Sequence, residues 1–425
     1  MSKKNPTRTT LSSGLPWCCT ATAERRSTDN DNNNNDDDEI VLQSHQTPLT
    51  SVQWMQQLEQ AAGPESYPDR SSAYDTLRAD LPTNEIQDKD AKVWGLDFHL
   101  DRLQRSYQST TKTKHMSPRT LQRARHASIT LMQALLQRAQ NELPPLQSTT
   151  PTTTNSLDTI IYIVRVTWLW STPWQQTNHD NDDNDDHHHH RHNHDDIIVR
   201  AHAVCTGQSV PVYGPTPITC SVAALLDDKN QVTVDHTLPT RHSKPQSKVP
   251  AWTVQRQSLD HYKPKDDVGC SEILLVRTAK STIHNKKGIE LLEGSSSNVF
   301  CVYRDGTLRT PDQGVLHGYV RHLVLESAAA CGLRIDTTTP ILLEEVAEWK
   351  EVFITSSSRL IYPIQRIIIP TGSNGQETTR QFREFWRDPW FDNDNNNSQH
   401  GQQQQQPKWQ ALLHAILRQG GYTIP

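Results

Sequence analysis

The stretch Glu293–Phe300 (EGSSSNVF) runs on through Asp305–Pro311 (DGTLRTP) into Gly318-Tyr319-Val320-Arg321. It sets an acid at the end of an apolar run, a tight hairpin and a glycine-led helix start in one short window. Asp305-Gly306 between Asn298–Tyr303 and Thr307–Thr310 predicts a two-strand hairpin, because this dipeptide supplies the positive φ that such turns need. Gly318 stands just ahead of the apolar run Leu323, Val324 and Leu325, so a helix opens there, and the amides of a helix start bind anions. Thr355-Ser356-Ser357-Ser358 follows the β-branched run Glu351–Thr355 and adds a second cluster of hydroxyls and amides.

Working outward, Glu272–Val276 and Ile289–Leu292 read as a further hairpin, and Ile364–Ile369 as a later strand. Helices are predicted over Tyr319–Cys331, with Gly332 as its cap, over Leu343–Trp349, and over Lys408–Gln419. Toward the N-terminus, Ala73–Arg78 and Lys92–Leu96 read as strands, and Phe98–Tyr107 has Leu100, Leu103 and Tyr107 at helical spacing. Ser117-Pro118 predicts a capped helix through about residue 140. Thr159–Trp170 and Ile197–Cys205 read as one hairpin whose turn carries a long insert, which loop entropy tolerates because its cost grows only logarithmically.

That insert, 178–196, alternates Asp, Asn and His; Asp29–Glu39 is almost pure Asn and Asp; 392–407 runs into polyglutamine. Such tracts carry too little apolar surface to offset ordering entropy, so all three are expected to be disordered. Their removal with the leader leaves roughly 340 residues, enough for two domains with their own cores. The division expected is a disordered leader over 1–49, an N-terminal α/β domain over 50–210 and a second domain over 211–425, joined at the proline-rich stretch Pro211–Pro217. The leader, rich in Ser, Thr, Lys and Arg, suits either an organelle transit peptide or an unstructured start. The expected location is cytoplasmic, or plastid or mitochondrial if the leader is a transit signal.

The net charge is −5, with no face-scale basic excess, which predicts no nucleic-acid partner. No apolar run approaches the ~20 residues of a membrane span. The 7 cysteines include no CxxC pair, which predicts free thiols in a reducing compartment and no zinc site. The clustered histidines at His187–His190, His192 and His194 recur at no fixed spacing, so a solvated insert is expected rather than a metal centre.

The pattern E-G-x-x-x-N-x-F followed by D-G-x-L-x-T-P resembles the cofactor cradle of the class IV aminotransferases, the fold-type-IV pyridoxal-phosphate (PLP) enzymes. His99–Ser106 (HLDRLQRS) resembles that family's early H-x-x-R-L-x-x-S signature. Val93–Leu103 and Thr355–Leu360 look like the branch described as D-amino-acid aminotransferase-like. The resemblance runs from about Ala73 to Arg366. It implies a two-domain α/β (α+β) fold, with a smaller N-terminal α/β domain and a larger, β-rich pseudo-barrel C-terminal domain bearing helices. PLP would lie between them, often in a homodimer.

PLP chemistry asks for a lysine to hold the cofactor, an acid beside the pyridine nitrogen, phosphate donors and an orienting pocket. By the resemblance Glu293 is the acid. Asn298, Gly318, Tyr319, Val320, Thr355 and Ser356 form the cofactor cradle, and Arg102 is the phosphate cation. Position 320 departs from the family, which often has threonine there, so only a backbone contact is expected from Val320. The family places its Schiff-base lysine some two dozen residues before the strand that pairs with the E-G segment. Lys248 stands 24 residues before Glu272 (272 − 248), with Lys244 as rival and Lys263 and Lys265 too late. Arg359 is a candidate contact for the substrate carboxylate. The expected reaction is transamination of an amino acid with a 2-oxo acid. Alternatives are aminodeoxychorismate lyase chemistry, which releases pyruvate to form 4-aminobenzoate, and a non-catalytic small-molecule-binding descendant of the fold.

Overall fold

A computed structural model describes residues 17–24, 39–44, 49–61, 72–82, 91–110, 116–143, 161–172, 197–209, 217–226, 232–234, 246–263, 270–279, 288–369, 380–384 and 406–421. The Asp/His insert 178–196, the Asn-rich residues 29–38, Pro211, residues 392–405, and Lys244 and Lys265 lie outside the described residues.

The N-terminal half is an antiparallel sheet backed by helices. Its strands are β1 (Cys18–Glu24), β2 (Glu39–Ser44), β3 (Ser72–Pro82), β4 (Lys92–Val93), β5 (Ile161–Ser171) and β6 (Ile198–Ser209), and its helices are α1 (Ser51–Ala61), α2 (Leu96–Thr110) and α3 (Pro118–Glu142). The six strands stand in the order β2-β1-β6-β5-β3-β4. The hairpin expected across the insert is present as β5 and β6, paired from Ile161↔Ser209 to Ser171↔Ile198. Helix α3 starts as its sequence dictates: Ser117 Oγ accepts from Thr120 N–H at 3.1 Å, and Pro118 occupies the first turn, where its missing N–H costs nothing. The helices bury Leu100, Leu103, Tyr107, Leu131 and Leu135 against Trp168 and Trp170 of β5.

Two expectations for this half are corrected. The leader 1–49 is not wholly unstructured, because β1 pairs with β6 from Cys18↔Val204 to Ala23↔Val199 and buries Cys18, Cys19 and Ala21. Local polarity hid this strand, since its pairing partner lies far along the chain. The strand expected over Lys92–Leu96 stops at Val93. Gly95 there adopts φ +62°, and a Cβ on it would stand 2.5 Å from the Tyr319 ring, so the chain must turn tightly into α2.

The second half comprises β7 (Ile218–Val222), β8 (Leu225–Leu226), β9 (Val232–Thr233), α4 (Ala251–Gln255), β10 (Cys270–Thr278), β11 (Ile289–Gly294), β12 (Asn298–Tyr303), β13 (Thr307–Arg309), α5 (Tyr319–Ala328), β14 (Arg334–Asp336), β15 (Ile341–Leu342), β16 (Trp349–Ser356), β17 (Leu360–Ile369), β18 (Arg380–Glu384) and α6 (Lys408–Gln419). The sheet path β12-β16-β17-β7-β10-β11 returns on itself where β11 pairs with β12, so these strands form a barrel-like ring. Leu274, Leu291, Val299, Ile354 and Ile367 belong to a core cluster of this ring, while α5 and α6 pack against Phe300 and Phe353. The Asp305-Gly306 turn is as expected, with Gly306 at φ +81° and Thr307 N–H donating to Asp305 Oδ1 at 2.9 Å. Leu343–Glu348 forms a 3-10 helix rather than an α-helix. No described helix is long and apolar enough to cross a membrane.

Candidate active site

A cavity of about 720 Å³ lies between the two sheets. Residues lining it include Arg102, Lys248, Glu293, Asn298, Gly318, Val320, Thr355, Ser356 and Arg359, so it brings together nearly the whole predicted set. Tyr319 is set beside it, its ring against Phe98 and His99 at 5.4 and 5.5 Å.

Lys248 sits in the short segment ahead of α4. Its N–H donates to Ser106 Oγ of α2 at 3.1 Å, and its carbonyl accepts from Tyr74 N–H of β3 at 3.0 Å. Nζ stands 3.5 Å from Asp75 Oδ1 and 5.1 Å above the Tyr74 ring centroid. Lys263, by contrast, is exposed and pairs with Asp260 at 2.7 Å, away from the cavity.

Asp75, on β3, was not anticipated. It is fully buried, and its carboxylate accepts from Arg102 Nε and Nη2 at 2.7 and 2.6 Å and faces His99 Nδ1 at 3.1 Å. Burial works against its charge, but Arg102, Lys248 and His99 together hold its carboxyl well below the usual carboxylate range. Burial also pushes His99 down to about 4, despite the neighbouring carboxylate, so this imidazole is neutral near pH 7. No single sequence signal marked it: β3 also carries Thr76, Arg78 and Asp80, and a buried carboxylate is tolerated only where the fold brings it a cation.

Arg102 is therefore largely committed to protein partners. Besides the fork on Asp75, its Nη1 donates to the His317 carbonyl at 3.1 Å, tying α2 to the stretch before α5. That stretch is clamped from the other side as well. Glu293 Oε2 accepts from Leu316 N–H at 3.0 Å; Asn298 Nδ2 donates to Leu316 O at 2.6 Å, and Asn298 Oδ1 accepts from Gly318 N–H at 3.1 Å. A Cβ at position 318 would stand 2.4 Å from that Asn298 oxygen, which explains the glycine. Asn298 thus shapes the cradle from behind.

The first helical bond of α5 is His322 N–H to Gly318 O at 3.1 Å, so the amides ahead of His322 are the helix's unspent donors. Thr355, at the end of β16, is buried, and its Oγ1 has no hydrogen-bond partner among the described residues. Buried hydroxyls rarely stay unbonded, so a ligand oxygen is the natural acceptor. An acid, unspent amides, an unbonded hydroxyl and a lysine lining one cavity are the donor set that PLP calls for. Ser356 Oγ, in contrast, accepts from Arg359 N–H and Nε at 3.3 Å.

Arg359 is bound to Glu272, whose carboxylate also accepts from Ser296 N–H at 2.7 Å and from Ser295 Oγ at 3.0 Å. Burial opposes both charges. The ion pair overcomes it, lowering the Glu272 pKa and raising that of Arg359. Among the described residues no cluster of His, Cys, Asp and Glu could hold a metal ion.

Residues 268–367 match the family model described as amino-transferase class IV. No curated protein matches the sequence. Among solved structures, the branched-chain aminotransferase of the thermophilic archaeon Thermoproteus uzoniensis, solved with norvaline, superposes with a TM-score of 0.51 at 16% identity, over 89% of this chain and 92% of its own. The PLP form of the branched-chain aminotransferase from Thermobaculum terrenum gives 0.45 at 18% identity, over 70% and 76%. The barrel-like ring, the superposition and the family match agree: this chain has the fold-type-IV architecture, and its residues 268–367 match the class IV amino-transferases, which use PLP.

Proposed function

We propose that this protein transaminates an amino acid with a 2-oxo acid, with Lys248 as its reacting amine. The observation that carries the reading is the convergence of Lys248, Glu293, Thr355 and the start of α5 on one cavity. PLP, when bound, supplies an electron sink for the pair left on Cα when its proton departs.

The protein's own groups do the rest. The amides of Tyr319 and Val320 and the Thr355 hydroxyl bind the phosphate, with the positive end of α5 behind them. Glu293, held by Leu316 N–H, presents a carboxylate that would keep the pyridine nitrogen of the cofactor protonated. Lys248 Nζ, once free, takes the proton from Cα and returns it one carbon further on, as general base and then general acid. Asp75, 3.5 Å away, orients the amine by an ion pair beside the Tyr74 ring. Arg102 acts mainly by fixing the cradle through His317 O. Homodimer formation belongs to the same reading.

The test is a visible spectrum with added PLP, then borohydride reduction and peptide mapping. A visible band with the label on Lys248, lost in Lys248→Ala, is the expected result, followed by conversion of 2-oxo acid to amino acid. Label spread over surface lysines would sink the assignment, and stoichiometric pyruvate release without amino transfer would replace transamination by elimination.

A further inference from the structure

The cofactor cradle, Glu293, Thr355 and the start of α5, belongs to the second half of the chain. The first half lines the same cavity with residues of another kind, among them Met55, Tyr74 and Ile163. Lys248 Nζ lies 5.1 Å above the Tyr74 ring centroid, and Tyr74 shares one apolar cluster with Met55, Trp54 and Leu169. An apolar wall thus begins beside the reacting amine.

Met55 comes from α1, and the first turn of α1 dictates where it stands. Gln53 N–H donates to Thr50 Oγ1 at 3.2 Å and Thr50 N–H to Gln53 Oε1 at 2.9 Å, a reciprocal cap that fixes the helix start. Leu49, just before the cap, packs in the same cluster as Trp54, one turn on, and such a staple sets the angle at which the chain enters its helix. Trp54 also stacks on His202 of β6, with ring centroids 5.2 Å apart and planes 14° from parallel. The helix packs in addition against α4, which follows Lys248. So α1 is fastened to the sheet and to the lysine segment, and Met55 is 2% exposed and lines the cavity from a fixed position.

The substrate's Cα must reach Lys248 Nζ, while its carboxylate requires donors, which a thioether and an aromatic face lack. The group that this wall can accept is the substrate side chain. Resting on the reading of the cavity as a transaminase site, we propose that Met55 is a specificity-determining residue that closes the side-chain end of the cavity and limits the bulk an amino-acid substrate can carry there. Its unbranched thioether conforms to apolar groups of differing shape, while the capped helix sets how far they extend. The T-x-x-Q cap is readable in Thr50–Gln53, but that the methionine beyond it meets the cavity depends on the fold.

The test compares wild type, Met55→Ala, Met55→Phe and Leu58→Ala by calorimetric titration with propanoate and 3-phenylpropanoate, two unreactive carboxylates that differ in bulk. Both PLP-loaded and cofactor-free protein are titrated. Met55→Ala is expected to raise the preference for 3-phenylpropanoate about 10-fold, and Met55→Phe to lower it. Leu58→Ala thins the same cluster without lining the cavity and should leave the ratio unchanged. PLP affinity, read from the visible band, stays the same in all four proteins. In turnover, kcat/KM for phenylalanine over alanine shifts in the same sense as binding. An unchanged ratio in both Met55 variants, an equal shift in Leu58→Ala, or binding of neither acid would overturn the proposal. Loss of PLP affinity in Met55→Ala would assign this wall to the cofactor and overturn it equally. A wild type that takes up no PLP would refute the transaminase reading, while the cofactor-free titration still decides the wall.

Discussion

Asp75 is the side chain on which most of the cavity's charge arrangement turns. Three cationic or basic groups, Arg102, Lys248 and His99, converge on one buried carboxylate. Asp75→Asn keeps the shape and removes the charge, which strands Arg102. Unfolding by urea should show a loss of about 3 kcal/mol, as for other broken buried pairs. A loss under ~1 kcal/mol would mean that water already screens the cluster. His99 adds a pH dependence whose sign is fixed. Its folded pKa, about 4, lies below the ordinary imidazole value of 6.5, so the unfolded chain binds the extra proton first. Stability from this group is complete above pH 6.5 and declines as pH falls toward 4, which thermal melts over that range would record. In His99→Gln that part of the slope should vanish. Of the residues named from sequence, those in the local pattern, Glu293 through Gly318, stand together in the cavity. Asp75 was not legible, because its meaning lies in the cations that the fold brings to it from α2 and from the segment ahead of α4.

Among the elements, the hairpins and α6 were readable because turn chemistry and period-3.6 spacing are local. Strand β1 was not: its sequence, CCTATAE, carries weak apolar signal, and its stability comes from β6, far along the chain. Removing residues 1–26 should expose the edge of β6 and the side chains that Cys19 and Ala21 cover. The truncated protein should melt lower and aggregate, by light scattering, at concentrations where the full chain does not. An unchanged melt would show β1 to be dispensable. The opposite result is expected for the Asp/His insert. Replacing residues 173–196 by a short turn leaves the β5–β6 pairing intact and shortens the closed loop, so stability should rise by about 1–2 kcal/mol in denaturant titration.

For the molecule entire, two sheets share one cavity, and among the described residues the bonds that cross between the halves include those at Lys248, Arg102, Ser109 and the Ser357–Ser358 turn. A ligand filling that space binds only the folded, closed arrangement. PLP at about 100-fold above its dissociation constant should add about 2.7 kcal/mol, seen as a raised melting temperature in a single transition. Two separate transitions, of which PLP moves only one, would show that the halves unfold independently.

Lys248 has a divided allegiance. Val249 and Trp252, just beyond it, pack with Ile273, Leu275 and Leu292 of the barrel-like ring, whereas its own peptide is bonded to β3 and α2 of the other sheet. The amine is thus suspended like a keystone between two abutments. Any slippage of one sheet against the other moves the amine first, and a substitution far from the cavity that alters that alignment would read out as a change in where the proton is delivered.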